Sequence, residues 1–120
     1  GAGADIIDAG AAHDTVWGGA GNDSISGGTG ADSLYGGADN DTLEGDSSTD
    51  QLFGGAGNDS IIGGTGADTL YGGEGNDTIF GNTALDTIYG EGGDDYISSG
   101  DGIDYVDGGA GNDTIFGRSG

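Results

Sequence analysis

Aspartate occupies every ninth position from Asp5 to Asp113 without a miss: Asp5, Asp14, Asp23, Asp32, Asp41, Asp50, Asp59, Asp68, Asp77, Asp86, Asp95, Asp104 and Asp113. Two residues after each stands an aliphatic side chain: Ile7, Val16, Ile25, Leu34, Leu43, Leu52, Ile61, Leu70, Ile79, Ile88, Ile97, Val106 and Ile115. An apolar position and an acidic position locked at one period predict a solenoid, in which stacked repeats share a core. The acidic position then recurs at one place on the solenoid. A ligand set of carboxylates and backbone carbonyls, all oxygen, suits a hard cation, and flexible glycine turns suit calcium better than magnesium. Catalysis finds little support. His13 is the one histidine, it falls at a variable turn position, and there is no cysteine and no Ser/His/Asp set.

Composition sets the conditions under which such a chain can fold. It has 22 acidic residues against 1 basic one, a formal charge of −21 and 32 glycines. That balance normally reads as disorder, and self-repulsion opposes any compact state until the charge is neutralised. Nucleic-acid binding is excluded, because phosphate contacts need Lys and Arg and only Arg118 is present. An anionic membrane surface is disfavoured for the same reason. No apolar run approaches the ~18 residues of a membrane span, so no membrane insertion is expected. The repeats start and stop without the polar capping units that solenoids generally need, so residues 1–120 are expected to be one segment of a longer protein.

The clean unit is Gly-Gly-x-Gly-x-Asp-x-aliphatic-x, as in Gly54-Gly55-Ala56-Gly57-Asn58-Asp59-Ser60-Ile61-Ile62. It resembles the nonapeptide of the RTX (repeats-in-toxin) calcium-binding family, and the resemblance covers the whole chain. Glycines at the first, second and fourth positions allow positive φ and close backbone approach. The x-aliphatic-x triplet points one side chain inward and two outward. Each nonapeptide is then a turn plus a short strand, and two nonapeptides complete one coil. The resemblance implies an all-β, right-handed parallel β-roll (a β-helix solenoid) of two parallel sheets joined by Gly-rich turns. One sheet would bring Val16, Leu34, Leu52, Leu70, Ile88 and Val106 to the core. The other would bring Ile7, Ile25, Leu43, Ile61, Ile79, Ile97 and Ile115.

In rolls of this family each ion sits between turns of adjacent coils on one side. The resemblance therefore pairs each aspartate with the one two repeats later. One side gives Asp5/Asp23, Asp23/Asp41, Asp41/Asp59, Asp59/Asp77, Asp77/Asp95 and Asp95/Asp113; the other gives Asp14/Asp32, Asp32/Asp50, Asp50/Asp68, Asp68/Asp86 and Asp86/Asp104. Up to about eleven calcium ions are implied, together with turn ligands at Gly19, Gly21, Gly28, Gly30, Gly37, Gly55, Gly57, Gly64, Gly66, Gly73, Gly75, Gly109 and Gly111. The first side has near-intact turns. On the second, Asp46, Ser48, Asn82 and Ala84 replace glycines, as do Ala9, Ala12 and Ser99. A Cβ at the fourth position is expected to impede the turn, so the ion row should be continuous on the Asp59 side and gapped or weaker on the Asp50 side.

Outward positions also form rows. Trp17, Tyr35, Phe53, Tyr71 and Tyr89 recur at every second repeat and predict an aromatic ladder along one sheet. Such a ladder stabilises a sheet by itself; as an exposed apolar strip it is also a candidate surface for self-association or polysaccharide contact. The sequence matches neither a phosphate-cradling loop, which needs a lysine and a following helix, nor an EF-hand. The resemblance implies a secreted, extracellular or cell-surface protein, exported unfolded by type I secretion and folding on calcium outside the cell. The segment itself is expected to be no enzyme. The alternatives are a building block of a surface layer, filament or adhesin, and an auxiliary module of a secreted protease, lipase or alginate epimerase.

Overall fold

The computed structural model describes residues 1–118. The x-aliphatic-x triplets form strands, and each strand stacks in parallel on the one two repeats away. In chain order they are β1 (Ile6–Asp8), β2 (Thr15–Ala20), β3 (Ser24–Thr29), β4 (Ser33–Ala38), β5 (Thr42–Ser47), β6 (Gln51–Ala56), β7 (Ser60–Thr65), β8 (Thr69–Glu74), β9 (Thr78–Thr83), β10 (Thr87–Gly92), β11 (Tyr96–Asp101), β12 (Tyr105–Asp107) and β13 (Thr114–Gly117). Odd strands build one sheet in the order β1-β3-β5-β7-β9-β11-β13, and even strands build the other in the order β12-β10-β8-β6-β4-β2. This is the two-sheet parallel β-roll, with two nonapeptides per coil, that the repeat implies. Consecutive strands lie in opposite sheets, so the chain crosses the core at every turn.

Register follows the repeat at eighteen residues between coils, except in the last pair, where Ser98 faces Phe116 but Gly100 faces Gly117. Leu52 pairs with Leu70, Phe53 with Tyr71, Gly55 with Gly73 and Ala56 with Glu74. The strands are longer than the triplet suggested, because pairing runs on through the first two glycines to the third position. Side-chain direction explains the extension. After the aliphatic residue points in and its successor points out, the first glycine points in again: in β6, Leu52 and Gly54 are buried while Phe53 and Gly55 are not. The core has one layer of aliphatics from each sheet and is thin, the Cα envelope measuring 38 × 30 × 13 Å. Sheets packed face to face at about 10 Å leave room for no more.

Nine aliphatics, from Ile25 to Ile97, are buried, and Ile7, Val16 and Val106 pack partly against them. Ile115, expected in the core, is 47% exposed instead. It lies on β13, the outermost strand of its sheet, where β11 covers one side only.

Substituted turns keep their shape, contrary to the expected obstruction by a Cβ. Asp46, Ser48, Asn82 and Ala84 hold φ of 72°, 93°, 78° and 97°, and Asp39 and Glu91 on the other side hold 77° and 73°. Most turn glycines sit above 100°, as Gly66 does at 146°. At these six positions the side chain is accommodated by rotating part of the way back toward the left-handed α region, near φ ≈ +57°, where an L-residue is tolerated at modest cost; Ala12, also in place of a glycine, keeps φ at 146°. Gly66 itself has no such freedom, since a Cβ there would lie 1.6 Å from the Ser48 carbonyl oxygen.

Replacing Leu52, fully buried at mid-stack, with alanine should destabilise the folded chain by about 2–5 kcal/mol. Ile115→Ala should cost less than about 1 kcal/mol, because much of its surface is already in water. Thermal unfolding of both variants in saturating calcium checks this, and equal losses would contradict the assignment of the core.

Candidate metal centres

Each repeat aspartate follows a turn and points inward. From Asp23 to Asp95 the aspartates are 0–3% exposed, whereas Asp5, Asp14, Asp104 and Asp113 at the ends of the stack are half-buried. A Cβ on Gly54 would lie 2.4 Å from Asp59 Oδ2. The first glycine of the repeat thus makes the space into which the carboxylate of the same repeat folds. From the sequence alone the first glycine, like the second and fourth, is expected to use positive φ; it does not, and its role as space for the carboxylate was missed. The signal was present: between Gly18 and Gly90 the first position is always glycine, while the second and fourth admit Asp46, Ser48, Asn82, Ala84, Asp39 and Glu91.

The structure brings together all eleven aspartate pairs, and it does so through the backbone. The Asp5 N–H donates to Asp23 Oδ1 at 2.8 Å, Asp41 to Asp59 at 2.8 Å and Asp59 to Asp77 at 2.8 Å. The opposite side matches, with Asp32 to Asp50 and Asp50 to Asp68 both at 2.8 Å. Contacts lengthen to 3.0 Å for Asp68 to Asp86, Asp86 to Asp104 and Asp95 to Asp113. Each carboxylate commits one oxygen to the coil before it.

The second oxygen has no partner. Oδ2 of Asp14, Asp23, Asp32, Asp41, Asp50, Asp59, Asp68, Asp77, Asp86 and Asp95 is buried without a hydrogen bond. A buried anionic oxygen left unpaired is costly, and chains avoid it unless a cation completes the site. Asp59 Oδ2 and the Gly72 carbonyl oxygen of the next coil both lie 2.4 Å from the position a Cβ on Gly54 would take, so carboxylate and carbonyl line one small gap. Among the described residues no three His, Cys, Asp or Glu side chains cluster to hold a metal. An ion here would add backbone carbonyls, and water, to one or two carboxylates, a mixture of oxygens that calcium accepts. All thirteen turn glycines named as candidate ligands hold positive φ, from 88° at Gly109 to 146° at Gly66.

Burial sets the protonation behaviour. Desolvation pushes the carboxyls of Asp50 and Asp68 up to about 6 and that of Asp77 up to about 7; the backbone N–H on each opposes this, and neighbouring carboxylates add to it. Asp41, Asp59, Asp86 and Asp95 are raised by the same causes, with desolvation the largest.

The two turn edges differ. On the Asp59 side, the Asn58 N–H donates to Asn40 Oδ1 at 2.7 Å, Asn76 to Asn58 at 2.7 Å, Asp94 to Asn76 at 2.8 Å and Asn112 to Asp94 at 2.7 Å. The other edge has one analogue, His13 Nδ1, which accepts the Ala31 N–H at 2.8 Å. The aromatic ladder is formed as expected. Tyr35, Phe53, Tyr71 and Tyr89 stack with centroids 4.7–5.0 Å apart and planes within 10°, and Trp17 extends the row at 5.7 Å. Ring faces are thereby occupied by neighbouring rings, and mainly edges meet solvent.

A family model described as the RTX calcium-binding nonapeptide repeat (4 copies) matches the chain in overlapping segments: residues 1–25, 17–52, 26–61, 44–79, 53–87, 71–106 and 89–120. A search of curated proteins found no match.

A raised folded pKa favours the metal-free roll below the unfolded value, near pH 4, and that contribution is lost as pH rises through about 6 to 7. Metal-stripped chain should therefore show more strand signal by far-ultraviolet circular dichroism at pH 4 than at pH 8. An unchanged or inverted pH dependence would show that these carboxyls are not desolvated together.

Proposed function

The chain belongs to the RTX calcium-binding nonapeptide repeat family, and from that premise we propose that it is a secreted module whose folding is driven by calcium outside the cell. The supporting observation is the row of ten buried Oδ2 atoms without partners. Calcium bound there would supply positive charge and accept carboxylate and carbonyl oxygens together. The candidate holders are the paired aspartates, the carbonyls of the named turn glycines and those of first-position glycines such as Gly72. Binding only to the folded form converts affinity into stability. Extracellular modules bind calcium at ~10⁻⁴–10⁻³ M, so a chain of charge −21 would stay expanded in a calcium-poor cytoplasm and collapse after export. That behaviour suits passage through a type I secretion channel. Catalysis is not part of this reading, since each repeat carboxylate has a place in the stack and His13 is tied to Ala31.

The ion rows are proposed to be unequal, with up to about eleven ions when both are filled. The Asp59 side combines aspartate and asparagine ladders, which hold its turns at two points per coil; the Asp50 side has the aspartate ladder and, at its first coil, the Ala31 N–H on His13. A second reading, a building block of a surface layer, filament or adhesin, is favoured by the aromatic ladder on an outer sheet face, whose rings Tyr35, Phe53, Tyr71 and Tyr89 are half-buried and whose end, Trp17, is exposed. Polysaccharide contact through that ladder is less favoured, because stacked rings present edges rather than faces.

Circular dichroism with and without calcium tests the main reading. Strand signal should be absent in chelator at pH 8 and appear cooperatively near millimolar calcium, and full signal in chelator would refute calcium-driven folding. Comparing Asp59→Ala with Asp50→Ala tests the asymmetry. The first should raise the calcium midpoint more, and equal shifts would mean the two rows are equivalent.

A further inference from the structure

We propose that Tyr89 and Tyr105 form an oxidative cross-linking site, where hydrogen peroxide and a peroxidase join the two rings as dityrosine and tie two coils of the roll together. The inference goes beyond calcium-driven folding and needs only that the roll is folded. Composition selects the target. The chain has no cysteine and no methionine, so no thiol or thioether takes up an oxidant first. Five tyrosines, one tryptophan and one histidine remain. Without cysteine the coils also have no disulfide to brace them. Tyr35 stands between Trp17 and Phe53, and Tyr96 between Phe80 and Phe116, so neither touches another tyrosine. Tyr71, Tyr89 and Tyr105 form a run in which each ring neighbours the next.

The two contacts in that run differ. Tyr71 and Tyr89 are direct partners across β8 and β10, and their rings stack at 5.0 Å with planes 10° apart. Such partners stand one strand spacing apart, about 4.8 Å, with faces rather than edges opposed. A bond between the ring carbons beside the two hydroxyls holds the Cβ atoms farther apart than that. Tyr105 pairs with Thr87 instead, so it meets Tyr89 diagonally, one strand across and two residues along, about 8 Å between Cα atoms. Their centroids lie 5.8 Å apart with planes tilted by 54°, which turns a ring edge toward the neighbour. Tyr105 is 55% exposed and so open to an oxidant. On oxidation each tyrosine loses one electron and its phenolic proton. The two radicals join through the carbons beside their oxygens, and each of those carbons passes its hydrogen to the adjacent oxygen, restoring the phenol. The two electrons and two protons released reduce one hydrogen peroxide to two waters. The bond closes a loop over residues 89–105 that contains Asp95 and Asp104. Closing a loop restricts the unfolded chain, as a disulfide does, so less calcium is needed to fold the product.

Treating the 120-residue chain in saturating calcium with hydrogen peroxide and a haem peroxidase tests the site. The expected result is dityrosine fluorescence in the monomer and, after proteolysis, a peptide pair joining Tyr89 to Tyr105 that is two hydrogens lighter than its parts. Tyr105→Phe keeps a ring in place and should remove the monomer's dityrosine, while Tyr96→Phe should leave it unchanged. Coupling that survives Tyr105→Phe and is lost in Tyr71→Phe would put the bond in the stacked pair and overturn the proposal. Covalent dimers alone, or oxidised rings with no coupling, would overturn it as well. The same reaction in chelator at pH 8, with peroxidase activity checked on free tyrosine, separates this proposal from the calcium reading, and circular dichroism reports the fold of each sample. Equal coupling in a chain that chelator has unfolded would show that the folded geometry does not select the pair, and would overturn the site alone. A chain that stays folded in chelator and couples at Tyr89 and Tyr105 would overturn the calcium reading and support the site. The purified cross-linked chain should fold at a calcium midpoint about twofold lower, the gain from one closed loop being shared among several ions. An unchanged or raised midpoint would overturn the brace.

Discussion

A carboxylate cannot sit in a protein interior without something to share its charge, and this fold places a column of them there on each side. From Asp23 onward Oδ1 is satisfied by the backbone N–H of the aspartate one coil earlier, as with Asp59 and Asp77 at 2.8 Å, and a buried Oδ2 such as that of Asp59 faces the Gly72 carbonyl across a small gap. The rest of the structure conforms to that constraint. First-position glycines are bare because the carboxylate needs their space. Turn glycines hold positive φ because the coil must reverse around it. The core is one aliphatic layer per sheet because the coil is no wider. On the proposed reading, stability depends on the cation that completes the surroundings of Oδ2 as well as on the hydrophobic row.

Electrostatics and packing act on the same atoms here, which is unusual for a small β-fold. Burial raises the carboxyl pKa values toward neutrality, so a divalent cation bound at these oxygens would compete with protons for them. A proton removes the charge on one oxygen. On the proposed reading, a calcium ion would add its charge between coils that otherwise meet through backbone hydrogen bonds and a thin core.

The period of nine was enough to read the sheet order, the inward aliphatics and the eleven aspartate pairs, because a parallel solenoid has no register freedom once its repeat is fixed. The near-complete burial of Asp50 was not legible, since a ligand role read from the repeat says which aspartates pair and not how deeply they sit. The role of Gly54 depends on a Cβ contact that spacing does not reveal. The turns at Asp46 and Ser48 were expected to be impaired, yet they form by moving φ toward the left-handed α region, a freedom that residue identity alone does not specify. Ile115 fits the core pattern and is nonetheless exposed, because burial is decided by whether a further coil covers the strand and not by the repeat itself.

The in-phase stacking of coils, each bonded only to its neighbours in the sheet, limits how such a gene can change length. Adding or removing a pair of nonapeptides leaves every surviving contact with an equivalent partner. A shift of a single nonapeptide would put the asparagine-lined edge above the opposite edge and break the aromatic column. A slip by one position would turn aliphatics to solvent and leave carboxylates without their N–H donors. Evolution of the array is thereby confined to whole coils, and its extent can be adjusted as a ruler is, by adding graduations without altering the ones already there.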